Sequence, residues 1–443
     1  MIKDWKEMTS TERQQVRFEK WMYPSNAEFD SDEVKKSYEE RVKRVIDAIT
    51  LKTPDRVPTL SPANFLPCFI YGVSCKDSMY DIDLAIELWL RFAREYPSDL
   101  MKGPSYCGIG NALELLDYRL YKWPGHGLAD NVIFQAVEGE WMKEEEYDLM
   151  IDDSSDYWLR YYMPRIFGAL EPLQSLLPLN RIIEFPNVGQ VANFGLPGVR
   201  EALNKLADAG EMLIKVRESL GRYRMTIMNE MGYPMSVGGF AKAPFDVIAD
   251  TMRASRGMIL DMFRRKDMIL KAIERITPLQ IKGAVGDVNA SGNPLVFMPL
   301  HKGADGFMSD EQFKTLYWPG LKEVILDLVE EGCIPFLLAE GRYDSRLKYL
   351  KELPKGTTVW WFDQTDLVEA KKQVGDTVCI AGNVPTSLMI TGSPAQVDEY
   401  CRKVIEVCGE DGGYILTTGA ALDEGKADTT RALLESVEKY GKY

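Results

Sequence analysis

The stretch Ile334-Pro335-Phe336-Leu337-Leu338-Ala339-Glu340-Gly341 is followed by Thr358-Val359-Trp360-Trp361-Phe362-Asp363, by Val378-Cys379-Ile380-Ala381-Gly382-Asn383 and by Gly413-Tyr414-Ile415-Leu416-Thr417. Each is a short apolar run that ends in a polar, acidic or Gly-bearing tip, and a helical segment separates it from the next. That is the pattern of consecutive βα units in a parallel barrel, where strand tips carry the chemistry. It sets Glu340, Asp363 and Asn383 around one mouth.

Working outward, the same rhythm appears at Met235–Gly239 and Leu295–Leu300, and earlier at Val57–Leu60 and Asp99–Lys102. Together with 334–338, 358–362, 377–381 and 413–417 these make eight strands. The expected fold is therefore α/β, one (β/α)8 TIM-barrel domain over residues 1–443. Helices are expected near 309–331, 394–408 and 428–440. Residues 1–52 read as an N-terminal arm and helix. Residues 1–30 are polar and aromatic without a clear period. From Val34 onward Tyr38, Val42, Val45, Ile46 and Ile49 recur at helical spacing, with Ser31 or Asp32 as cap. The arm is expected to pack on the barrel or on a second subunit, the latter giving a homodimer. Between about 105 and 230 the rhythm is lost. This large insertion after the second strand, rich in aromatic and acidic residues, reads as a lid over the mouth.

The 443 residues are 45% hydrophobic and 27% charged, with a net charge of −14. An acidic chain lacks the basic footprint of a nucleic-acid partner. Its seven cysteines form no CxxC pair and are odd in number, which argues against a disulfide framework and for a reducing cytoplasm. The opening Met1-Ile2-Lys3-Asp4-Trp5-Lys6-Glu7 is too polar for a signal peptide, and no apolar run approaches membrane-spanning length. A cytoplasmic protein without a membrane partner is expected.

Several segments taken together resemble the uroporphyrinogen decarboxylase-like superfamily. They are Pro54-Asp55-Arg56-Val57-Pro58, Met308-Ser309-Asp310-Glu311-Gln312-Phe313 before Tyr317-Trp318-Pro319, and Gly341-Arg342-Tyr343-Asp344. Asp366-Leu367 through Lys371 and Gly375-Asp376 continue the likeness. It is strongest at Gly382-Asn383-Val384-Pro385-Thr386, Gly392-Ser393-Pro394 and Gly412 to Leu416. The resemblance covers roughly 235–443 and 40–62 and implies one of two chemistries. The decarboxylase branch resembles itself in an Arg-rich N-terminus and a late Gly-His pair. Here residues 1–30 carry only Arg13 and Arg17, and the late tip is Thr418-Gly419-Ala420. The other branch moves methyl groups to or from a corrinoid on a separate protein. Its thiol-methylating members bind zinc through His-x-Cys and a late Cys, which align here with Leu338, Glu340 and Ala420. Thiol-type zinc ligands are thus absent, although an oxygen-rich metal site using Glu340 and His301 stays open.

The sequence looks most like the remaining methyltransferases, which demethylate small methoxylated compounds, aryl methyl ethers above all. That resemblance implies cobalamin supplied by a partner corrinoid protein, since no Asp-x-His-x-x-Gly of the carrier type occurs here. Such a reaction needs an acid for the departing phenolate (parent pKa about 10), a flat apolar slot and an open face. Glu340 is the first candidate acid, because the apolar run before it can raise its pKa; its plainer alternative is a salt bridge to Arg342 or a barrel Lys. His301 closes the run Leu295–Leu300 and can donate a proton or merely hydrogen-bond the backbone. Asp363 can orient either one, or cap the helix that starts near Asp366. Trp361, Phe362, Tyr343, Phe240 and Tyr106 are candidates for the aromatic slot, Asn383 for a substrate hydrogen bond, and His126 for the lid. The alternative reading is a cofactor-free decarboxylase of an aromatic or porphyrinogen-type acid. It needs a cationic clamp, for which the strand tips offer Lys242 and Lys302.

Overall fold

Burial on both faces decides the shape of the central sheet. In a computed structural model that describes residues 3–443, six parallel strands pair in chain order. They are β1 (Gly239–Phe240), β2 (Leu295–Leu300), β3 (Ile334–Ala339), β4 (Val359–Phe362), β5 (Cys379–Val384) and β6 (Tyr414–Thr418). Every residue of β3 to β6 is buried. Such continuous apolar runs belong to parallel strands covered on both sides, and helices after each strand supply the outer cover. Trp318–Glu330 follows β2, Leu367–Val374 follows β4, Pro394–Cys408 follows β5 and Ala427–Tyr440 follows β6. The chain is thus an α/β fold built on a parallel sheet.

The three strands expected at 57–60, 99–102 and 235–239 appear mostly as single-residue parallel bridges: Thr59 to Leu416, Leu60 to Leu100, and Met101 to Met235. Leu60 N–H donates to Leu416 O at 3.0 Å, Leu100 N–H to Thr59 O at 3.0 Å and Met101 N–H to Pro234 O at 2.9 Å. The hydrogen-bonded path therefore leaves β6, crosses these two segments and returns to the residues just ahead of β1. The pairing is short because Pro58 and Pro62 lack donors, and because Thr59 N–H donates at 2.8 Å to the buried Asp99 carboxylate instead of to a strand.

Alternation along the strands sorts the core into two layers. Trp360, Phe362, Ile380 and Leu416 face the surrounding helices. Leu338, Trp361, Ala381 and Ile415 face inward and join Trp21, Val42 and Val45 of the N-terminal helices. The arm is not irregular. Ser10–Met22 is a helix opened by a reciprocal Thr9/Glu12 capping box. It packs on the sheet's own covering helices, with Arg13 Nη1 donating to Glu330 O at 3.0 Å and Arg17 Nε to Glu331 O at 2.6 Å. The expected second helix runs Asp32–Ile49, with Ser31 as its cap. The inserted segment carries a small sheet around Tyr121–Pro124, a series of short turns, and the long helix Pro197–Asn229. Among the described residues no helix is long and apolar enough to cross a membrane.

Candidate active site

Strand parity brings three of the expected residues to one place. His301 lies one residue beyond β2, Glu340 one beyond β3 and Asp363 one beyond β4. Leu338 and Trp361 face inward, so Glu340 and Asp363, two residues further on, share that face. Gly341 takes a left-handed conformation (φ 83°) that lets the chain turn directly after Glu340. Its N–H donates to Asp363 Oδ2 at 3.0 Å, tying the Glu340 tip to the next strand. Asp366 rather than Asp363 caps the following helix, accepting from Val368 and Glu369 N–H.

His301 is held by two aspartates on the helix Pro244–Thr251. Its Nδ1 donates to Asp250 Oδ2 at 2.6 Å, which turns Nε2 toward Glu340 Oε1 at 3.6 Å, an ionic separation rather than a hydrogen bond. The fully buried Asp246 accepts from His301 N–H at 2.9 Å, Lys302 N–H at 3.2 Å and the Tyr317 hydroxyl at 2.9 Å. A π-helical turn, Phe313–Tyr317, delivers that hydroxyl. Lys242 pairs with Asp250. Lys302 reaches Ser255 Oγ at 3.0 Å.

Burial raises the Glu340 pKa, the charges of Asp363 and Asp250 add to this, and His301 and Lys242 oppose it. For His301 burial works downward, but the hydrogen bond and charge of Asp250, with Glu340 and Asp246, outweigh it and raise the pKa. Burial and the charge of Asp250 push Asp246 up to about 6. Two groups whose pKa values are both raised therefore face each other. An Asp250→Asn variant is expected to lower the His301 pKa. The alkaline limb of its kcat/KM–pH profile should then fall at lower pH than in the parent. A profile that stays in place would separate His301 from the titration.

The opposite wall was not anticipated. Lys102 projects beyond the Leu100–Met101 bridge, its Nζ 4.4 Å from the Trp361 ring centroid. Trp361 is fixed beneath it, Nε1 donating to Thr418 O at 2.7 Å. Asp423, held by Asn64 Nδ2 at 2.5 Å, faces the same space. Above lie aromatic rings of the insertion: Tyr106 and Phe134 with centroids 4.7 Å apart, and Phe134 and Tyr121 at 5.9 Å. Burial raises the Tyr106 pKa, and the charges of Tyr121, Asp423 and Glu340 add to it. Tyr106 and the Glu340 side chain keep 42% and 43% of their surface, so both are open to solvent.

The other expected residues fall elsewhere. Phe240 stands 48% exposed on the rim. Tyr343 is buried beneath the mouth, its hydroxyl donating to Leu300 O at 3.2 Å. Asn383 is pinned by the carbonyls of Asp363 and Thr365 and by the Tyr400 hydroxyl, and so braces the β5 tip. His126 stacks on Trp123 at 4.1 Å, beside Glu114 at 3.7 Å, and stays partly exposed. Phe362 is a correction. It follows Trp361 directly, so alternation turns it outward, fully buried against Trp360 and the helices. Among the described residues no group of three or more His, Cys, Asp or Glu is placed to hold a metal ion. All seven cysteines are free and buried.

Comparison with known proteins adds a lineage. The family model described as uroporphyrinogen decarboxylase (URO-D) matches residues 196–440, more than half of the chain. Uroporphyrinogen decarboxylases of Coxiella burnetii, from the Dugway 5J108-111 and RSA 493 strains among others, are 19% identical over 250 residues. That alignment covers 55% of this chain and 65% of theirs. A solved methyltransferase from Methanosarcina mazei superposes with a TM-score of 0.56 at 13% identity, over 90% of this chain and 98% of its own. At that identity the likeness is one of fold.

Proposed function

The chain belongs to the uroporphyrinogen decarboxylase family, and from that membership we propose that it is a methyltransferase: it removes the methyl group of a small methoxylated compound, an aryl methyl ether, for transfer to the Co(I) corrinoid of a partner protein. The observation that carries the reading is the facing pair Glu340 and His301, with Asp250 behind it, under an aromatic roof. The hydrogen-bonded path through 59–60 and 100–101 supports a (β/α)8 ring as the frame.

The corrinoid, when docked, supplies the nucleophile and carries the methyl group away. An open rim bearing Phe240 and Tyr106, both more than two-fifths exposed, suits a flat macrocycle presented by another protein. The chain's own work is at the ether oxygen. The aromatic walls orient the ring. Glu340 donates its proton as the C–O bond to methyl breaks, so that a neutral phenol leaves; His301, fixed by Asp250, holds the companion proton. Asp363 positions Glu340 through Gly341 N–H. General-acid help of this kind contributes about 10²–10⁴-fold.

The test combines the chain with a reduced corrinoid protein and a panel of methoxylated aromatics, following the corrinoid spectrum. Methylation that depends on this chain is the expected result. Release of carbon dioxide from an aromatic or pyrrole acid without any corrinoid would instead favour the decarboxylase reading. That reading draws on the cations Lys102 and Lys242 at the mouth and on the names of the sequence relatives.

A further inference from the structure

The inserted segment carries an apolar surface that the fold leaves uncovered. Leu179, Ile183, Phe185, Val188, Val191 and Leu196 fall within eighteen residues and keep between 44% and 93% of their surface, Phe185 the most. From Phe185 to Gly195 the chain winds through successive 3₁₀ turns in which no residue is buried. Such turns hydrogen-bond poorly and seldom run beyond three or four residues, so local geometry gives this stretch little support. Support comes from its flanks. Leu173 and Leu176 before it and Val199 after it are buried in one cluster, and Asn193 Nδ2 donates to Ser175 O at 3.1 Å. The stretch is fixed at its base while its apolar side chains stay outside. Together the six expose roughly 600 Å², at the upper end of the largest apolar patch of a typical monomer and about three-quarters of one side of a standard interface.

Charge indicates what covers it. The chain is 27% charged and carries −14 overall, yet residues 172–199 hold only one Arg and one Glu, Arg181 and Glu184. Both are exposed, and no ion pair among the described residues engages either. We propose that a second copy of this chain covers the face, two protomers meeting through residues 179–196 about a two-fold axis. A two-fold interface is self-complementary, so each contact between unlike positions occurs twice. Arg181 of one protomer meets Glu184 of its partner, and the reverse, beside an apolar centre built on Ile183 and Phe185. Two copies of net charge −14 repel each other over most of their surfaces; this stretch is nearly free of that repulsion. A strongly charged protein partner would call for a patch of the opposite sign. An anionic lipid surface would call for several Lys or Arg beside the apolar residues, and within the stretch Arg181 is the single cation. The N-terminal helix does not compete for the role, because it packs on the chain's own helices. The proposal does not depend on the reaction.

Sedimentation velocity of the full chain over a concentration series tests this without substrate or corrinoid. The parent should sediment as a dimer at micromolar concentration. Phe185→Glu should raise the dimer dissociation constant about a hundredfold, as the loss of a central anchor does. Its circular dichroism spectrum should not change, because a residue 93% exposed holds nothing within the monomer. Ile183→Glu repeats that test. Arg181→Glu should weaken the dimer about tenfold by setting like charges against each other, and adding Glu184→Arg should restore the parent constant. A parent that stays monomeric, a dimer indifferent to Phe185→Glu and Ile183→Glu, or a double variant no tighter than Arg181→Glu would overturn the proposal. A monomeric parent whose Phe185→Glu variant no longer methylates a corrinoid protein, or no longer binds phosphatidylserine vesicles, would also overturn it and give the face to that occupant.

Discussion

Replacing Glu340 by Gln is expected to lower kcat for methyl transfer from an aryl ether by about 10²–10⁴-fold, or roughly 2.7–5.5 kcal/mol of activation free energy. Gln keeps the shape and can donate a hydrogen bond, but it cannot release a proton as the phenolate departs. Ring binding should change little, because the Tyr106 roof is untouched. The loss should shrink for ethers of acidic phenols, whose oxygen needs less protonation. In the parent enzyme the rate should fall as pH rises through the raised Glu340 pKa, and the variant should lose that contribution and keep only the limb of His301. Steady-state kinetics on electron-poor and electron-rich ethers read all of this. A variant with full activity would remove Glu340 as the acid.

Replacing Asp99 by Ala should cost about 3–5 kcal/mol of stability, the usual result of stripping one partner from a buried ion network. Asp99 has no exposed surface. It accepts from Arg44 Nη1 at 2.6 Å, from Arg56 Nη1 at 2.7 Å and Nη2 at 3.1 Å, and from Thr59 N–H at 2.8 Å. Removing it leaves Arg44 with Asp55 alone, Arg56 with Glu438 alone, and the Thr59 amide without its acceptor, where the 59–60 segment meets β6. Burial alone would raise its pKa, but Arg56, Arg44 and Thr59 overcome that and lower it. A depressed folded-state pKa stabilises fully above the unfolded value of about 3.9, and that contribution is lost as pH falls through the folded value. The variant should therefore unfold at lower urea near pH 7, and the gap between the two proteins should close under acid conditions. Equal urea midpoints at pH 7 would mean that the network holds no net stability.

The contrast between what the chain announces and what it conceals follows the range of the interactions. The runs at 295–300, 334–338 and 413–417 reappear as strands within a residue or two, because a doubly covered strand must be apolar throughout. That Glu340, His301 and Asp363 converge was legible for the same reason: each is the polar residue that ends such a run, so all three lie at one end of the sheet. Phe362 went astray because it was grouped with Trp361, although period two places neighbours on opposite faces. The helix Ser10–Met22 was missed although Thr9 and Glu12 spell a capping box. Asp246 and Asp250 could have been noticed as two carboxylates four apart on an otherwise apolar helix, which share one face. Lys102 gave no such sign. A lysine after Asp99-Leu100-Met101 is ordinary, and only the fold sets it over a tryptophan more than two hundred residues away. The aromatics Tyr121 and Phe134 lie in a segment without period, so nothing local marked them.

The pairing of Leu60 with Leu416 bears on how the molecule is made. The 59–60 segment leaves the ribosome long before its hydrogen-bonding partner at Leu416 is translated. Through most of synthesis the nascent sheet carries an unpaired edge on each side, the exposed form in which strands recruit wrong partners. Contacts so distant in sequence also close slowly, because the loop must be ordered before it is rewarded. Chaperone demand during expression is the practical consequence. So is a sharp intolerance of truncation: a fragment lacking β6 forfeits both the seam and the surface on which the first segment docks.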